Sequence, residues 1–246
     1  MLALYPDLES LSRAAAEMIF SRAARSVEES GRFALALTGG DTPRRTYELL
    51  AGPPFRGDLP WRGVHVFWGD ERCVPLGDAR SNALMARRTL LNRVPIPEEN
   101  IHAMTCSATR DPDAAAARYE EDLVEAFAGP PRLDLMLLGL GENGHVASIF
   151  PGAQAVSEHE RWVVGVTDRA ALAATGGVAR VTLTPRAINH ARRVVFLVSG
   201  ARKARALRQL LEGPRDPLHC PAQLVQPLEG LEVLADEQAG SLLSLS

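Results

Sequence analysis

Four short glycine-containing stretches hold most of the residues in this chain that could do chemistry. In Gly139-Leu140-Gly141-Glu142-Asn143-Gly144-His145, an imidazole that titrates near neutral pH when unperturbed is delivered from between glycines. His145 is the candidate acid or base. In Asp70-Glu71-Arg72, two carboxylates stand beside a guanidinium, and extended backbone would turn Asp70 and Arg72 to one side and Glu71 to the other. On that side Arg72 can grip a phosphate bidentately while Asp70 orients a hydroxyl or a histidine; an internal salt bridge is the alternative. Thr38-Gly39-Gly40-Asp41-Thr42-Pro43 reads as a helix start. Gly39 and Gly40 let the backbone approach a ligand, Thr42 is a candidate cap, Pro43 fits the first turn, and exposed amides there suit a phosphate or an oxyanion. The fourth stretch, Ser199 to Lys203, places the only lysine among 27 basic residues at the start of a helix, where a compact ammonium can ligate phosphate.

Several sharper motifs are excluded. Gly139 to Gly144 matches G-x-G-x-x-G, but Pro151-Gly152 follows too soon for the helix that a dinucleotide fingerprint requires. No Walker loop, H-E-x-x-H pair or other metal-ligand spacing is present, so neither a metal nor a cofactor is expected. Ser148 lacks the G-x-S-x-G elbow of a nucleophile. Cys73, beside Arg72, could be an activated thiol or a small buried residue. Three cysteines without a C-x-x-C pair predict neither a disulfide framework nor a zinc site.

The elements that must position these residues are legible as apolar runs: Phe33 to Leu37, Val64 to Trp68, Leu133 to Leu138, Trp162 to Val166 and Val194 to Val198. They are nearly continuous, as in strands of a parallel sheet buried on both faces. Helical patterns lie between them, at Leu8 to Val27 and at Asp113 to Phe127, the latter with Asp111 or Asp113 as its cap. The expected fold is therefore α/β, a mostly parallel sheet flanked by helices in a Rossmann-like three-layer arrangement, with one domain over residues 1–246. In such a sheet the four chemistry-bearing stretches share the carboxyl edge, where these folds bind ligands. Apolar residues make up 46% of the chain, charged residues 23%, and the net charge is -3. That balance gives no reason to expect a nucleic acid or an anionic membrane as partner. With no basic leader and no apolar run of about 18 residues, a cytoplasmic protein is expected.

Taken in order, the stretches resemble the 6-phosphogluconolactonase family. The resemblance is carried by Thr38 to Pro43, by Asp70-Glu71-Arg72-Cys73-Val74-Pro75 with Ser81-Asn82, by Leu137 to Pro151, by Arg180-Val181-Thr182-Leu183-Thr184, and by Gly200-Ala201-Arg202-Lys203-Ala204. Two positions depart from it: Asp41 stands where serine is usual, and Asn143, which cannot act as a base, stands where aspartate is usual. The resemblance implies the fold of glucosamine-6-phosphate deaminases and related isomerases. It also implies hydrolysis of 6-phospho-glucono-1,5-lactone in the oxidative pentose phosphate pathway, with a small sugar-phosphate lactone as the partner, no cofactor, and His145 as general base. Amides near Gly39-Gly40 or Gly141 would hold the oxyanion, and Arg72, Lys203 and Arg180 the phosphate. Asp70 would contact sugar hydroxyls, with Thr42 and Asn143 also on the substrate side. One rival is a deaminase, against which stands Phe150 where that enzyme type carries a glutamate. The other is a sugar-phosphate-binding module without turnover.

Overall fold

In the computed structural model, residues 1–75, 77–106, 111–168, 172–173 and 176–244 are described. The strands in chain order are β1 (Leu2–Tyr5), β2 (Phe33–Leu37), β3 (Val64–Trp68), β4 (Asp70–Arg72), β5 (Leu135–Gly139), β6 (Val163–Val166), β7 (Arg180–Leu183), β8 (Arg193–Val198) and β9 (Gly230–Asp236). Six form one sheet in the order β1-β9-β8-β5-β2-β3, and every pairing in it is parallel. Every residue of β2 is buried, because helices cover both faces of the sheet and leave no side for polar residues.

The helices that position the site are α1 (Leu8–Ser30), α2 (Asp41–Leu50), α3 (Asn82–Thr89), α4 (Pro112–Phe127) and α5 (Ala204–Glu212). Asp7 caps α1 by accepting from the Ser10 amide at 2.8 Å. Asp111, rather than Asp113, caps α4, accepting from the Asp113 and Ala114 amides. Side chains from both sheets pack into one hydrophobic core, Leu137 and Phe196 with Val163 and Leu183 among them.

Three expectations need correction. The run Trp162 to Val166 does not join the parallel sheet; as β6 it pairs antiparallel with β7, which pairs antiparallel with β4. An apolar run reports burial and not pairing direction, and only Val163 and Val166 of β6 are buried. Strands β1 and β9 enlarge the main sheet without forming continuous buried runs, since β1 is an edge and β9 is buried only from Val233 onward. Finally, Cys73 and Cys106, 33 positions apart in sequence, form a disulfide with Cα atoms 4.8 Å apart. Their meeting is tertiary: Ile101 bridges Val66, and the His102 amide bonds the Val66 carbonyl at 2.9 Å. That lays residues 101 onward along β3 and carries Cys106 back to the end of β4.

Candidate active site

The carboxyl ends of β2, β3, β5 and β8 open into one cleft of about 530 Å³, and all four chemistry-bearing stretches line it. The stretch after β5 is fixed by its own backbone. The Gly141 amide donates to the His145 carbonyl at 2.9 Å and the Gly144 amide to the Gly141 carbonyl at 3.0 Å. The His145 ring lies directly on Gly141, where an added Cβ would come within 2.0 Å of Nδ1. Gly141 is thus a seat for the imidazole. Because its amide is already used, it cannot serve the oxyanion as expected.

Asn143 does not line the cleft. Its Oδ1 accepts from the His145 amide at 3.3 Å and lies 2.6 Å from His145 Nδ1, so this side chain is engaged with His145. An amide oxygen can only accept, so this bond puts the ring proton on Nδ1 and leaves the Nε2 lone pair unprotonated. Below the ring sits Phe150, fully buried, with centroids 4.7 Å apart. Burial pushes the His145 pKa down to about 4; Asp70 pulls it up, and Arg180, Lys203 and Arg72 push it down further. The imidazole is therefore neutral at pH 7.

The stretch after β3 is a strand in its own right, and β4 realises the expected alternation. Asp70 and Arg72 line the cleft and Glu71 does not. Glu71 is the buried anchor of α3, accepting from the Ser81 hydroxyl and from the amides of Arg72, Asn82 and Ala83. Its burial raises its pKa. Asp70 is engaged on both oxygens: Ser148 Oγ donates to Oδ2 at 2.6 Å, Arg180 Nη1 lies 3.6 Å from Oδ2, and Asn82 Nδ2 lies 3.3 Å from Oδ1. The internal salt bridge weighed for Asp70 exists, but its cation is Arg180.

Arg180 arrives through the second sheet, because β7 pairs with β4 in a register that sets Arg180 opposite Arg72. It is 5% exposed and its guanidinium carbon stands 5.6 Å from the Phe150 ring centre. Arg72 makes no ion pair among the described residues; its Nη1 donates to the Arg80 carbonyl and to Asn82 Oδ1. Lys203 likewise has none, since Glu142 bonds Arg202 instead at 3.4 Å, and partial burial lowers its pKa. The turn that presents Lys203 is held by Asp236, which accepts from the Ser199 hydroxyl and the Gly200 amide.

On the opposite wall, α2 begins at Asp41 with Gly40 before it at φ +103°, a conformation that favours glycine. Thr42 is accordingly the second helical residue and no side chain caps this helix, which corrects the expected cap. Among the described residues nothing accepts a hydrogen bond from the Gly39 or Gly40 amide, and both glycines line the cleft. Such a helix start favours negative charge.

Sequence reasoning missed Asn82 and Asp236 as parts of this site and set Ser148 aside as a failed nucleophile. Ser148 is wholly buried and serves Asp70. Only its distance in space from Asp70, 78 positions away in the chain, could have revealed that. Among the described residues no group of three or more His, Cys, Asp or Glu side chains is placed to hold a metal ion, and no helix is long and apolar enough to cross a membrane.

A parallel-sheet α/β protein with a basic, histidine-bearing cleft at the strand ends is the class that fold and site define. Residues 6–234 match the family described as glucosamine-6-phosphate isomerases/6-phosphogluconolactonase. The chain belongs to that family. It is 44% identical over 230 residues to a 6-phosphogluconolactonase of Synechocystis, covering 92% of this chain and 90% of the relative. It is 39% identical over 245 residues to one of Nostoc, covering 98% and 97%. The solved structure of 6-phosphogluconolactonase from Trypanosoma brucei superimposes with a TM-score of 0.87 at 29% identity, over 99% of this chain and 98% of that one.

Proposed function

We propose that this protein hydrolyses 6-phospho-D-glucono-1,5-lactone to 6-phospho-D-gluconate, with His145 as general base. His145 Nε2 takes a proton from water as the water oxygen bonds to the lactone carbonyl carbon. The carbonyl oxygen becomes an oxyanion, for which the Gly39 and Gly40 amides at the start of α2 are the available donors. Collapse of the tetrahedral intermediate breaks the bond to the ring oxygen, and the imidazolium returns its proton to that oxygen. A depressed pKa suits the second half, because an imidazolium that is hard to form in this pocket gives its proton up readily. Arg72 and Lys203, both without a carboxylate partner among the described residues, hold the 6-phosphate. Arg180 and Asp70 answer each other beside the ring and set the local field around His145.

The observation that carries this reading is the presence, in one cleft, of a histidine with its Nε2 unprotonated and, on separate strands' ends, two cations that make no ion pair among the described residues. Phe150, sealed under His145, supports the lactonase over the deaminase reading, since a hydrocarbon ring cannot shuttle protons. The test is to add purified protein to freshly made 6-phosphogluconolactone and follow acid release against spontaneous hydrolysis. A rate that scales with protein is expected. No acceleration, or ammonia released from glucosamine 6-phosphate faster than lactone is opened, would overturn the proposal.

A further inference from the structure

We propose that Asn82 is a positioning residue whose side-chain amide keeps the Arg72 guanidinium clear of Asp70 and available to phosphate by standing between the two. This inference rests on the lactonase reading of the cleft. Asn82 is 2% exposed and every polar atom of its side chain is used. Its Oδ1 accepts from Arg72 Nη1, while its Nδ2 donates to the Asp70 carbonyl at 2.8 Å and approaches Asp70 Oδ1 at 3.3 Å. Without that amide, a carboxylate and a guanidinium two residues apart on one side of β4 would pair, and a paired guanidinium is a poor phosphate ligand. A neutral amide can satisfy both because it has a donor end and an acceptor end. Aspartate could not: it would pair with Arg72 and offer nothing to Asp70.

The third wall meets the same group. A Cβ built on Gly39 would fall 1.8 Å from Asn82 Oδ1, so the loop that opens α2 rests directly on the amide. Asn82 thereby fixes the spacing between Arg72 and the free amides at the start of α2. Its structural duty is separable, because α3 is capped by the Ser81 hydroxyl and tied to Glu71 through the Asn82 backbone amide, which donates to Oε1 at 2.7 Å. A side-chain substitution leaves that bond in place.

The test uses Asn82→Asp and Asn82→Ala, each alone and in an Arg72→Met background, with kcat and KM measured on the phosphorylated and the unphosphorylated lactone. Either single variant is expected to raise KM for the phosphorylated lactone about tenfold, the loss typical of one charge-assisted contact, with a much smaller change for the unphosphorylated one. In the Arg72→Met background the same substitution should cost little more, because its effect runs through Arg72. Equal losses on both lactones, additive with Arg72→Met, would make Asn82 a scaffold residue and overturn the proposal. Calorimetric titration with inorganic phosphate supplies a readout independent of turnover: Asn82→Asp should weaken binding about tenfold, and unchanged affinity would contradict the inference even if the protein proved not to open lactones.

Discussion

His145 in the cleft and His65 on β3 have much the same electrostatic fate: each is pushed down to about 4, and burial is the main cause for both. Their surroundings differ in what is left over for chemistry. His65 Nδ1 lies 3.2 Å from His102 Nε2, the two rings are nearly parallel, and Phe67 stacks on His102 with centroids 4.4 Å apart. His65 and Phe67 sit on the strand at the far edge of the main sheet and His102 on the segment laid beside it, and the cleft does not include them. His145 spends only Nδ1, on Asn143, and stands among Asp70, Arg180, Lys203 and Arg72. A depressed histidine therefore reports burial; convergence with other groups at the strand ends makes it a candidate catalyst.

The strongest way to break this contrast is to delete each imidazole. His145→Gln is expected to lower kcat on the phosphorylated lactone by about 10²- to 10⁴-fold, with phosphate binding retained. His65→Gln should stay within about twofold of wild type, as a substitution away from the site does. Near-normal kcat in a folded His145→Gln protein would place the base elsewhere.

Lys203→Met sharpens the same contrast one group further out. It should reduce kcat/KM on the phosphorylated lactone by roughly tenfold or more and leave the unphosphorylated lactone nearly unchanged. An equal fall on both would mean that Lys203 supports the turn held by Asp236.

The smallest expected effect belongs to the edge pair. The folded-state pKa values of His65 and His102 lie below 6.5, so as pH falls from about 6.5 toward 4 the unfolded chain binds protons that the folded protein does not. Stability is thus lost on acidification through that window. The drop in Tm between pH 7 and pH 5 should be smaller by a few degrees in His65→Gln than in wild type. An identical drop would show that the pair titrates normally in the fold.

How much of this was legible in the sequence depends on whether a residue acts through its own stretch or through another. Buried runs and glycine-bounded polar stretches are local, so β2, β3, β5, β8 and the cleft positions of His145, Asp70, Arg72 and Lys203 follow from reading along the chain. Partnerships across the chain do not. Ser148 meets Asp70, Arg180 meets Asp70, and Cys73 meets Cys106 because β4 leaves the parallel sheet to join β7, and no run of residues announces that turn. The same absence misassigned the Gly141 amide, whose hydrogen bond closes within its own loop.

The most direct test of the central claim, that a half-buried and neutral His145 is the base, is the pH dependence of kcat/KM for the unphosphorylated lactone. That substrate avoids the ionisation of the phosphate itself near pH 6, and kcat/KM reports the free enzyme. His145 acts as a base only while unprotonated, and its pKa is lowered to about 4, so activity should hold as pH falls past 6.5 and decline only near 4. The corresponding limb should vanish from the residual rate of His145→Gln. A decline centred near 6.5, or a limb near 4 that survives the loss of the imidazole, would contradict the account.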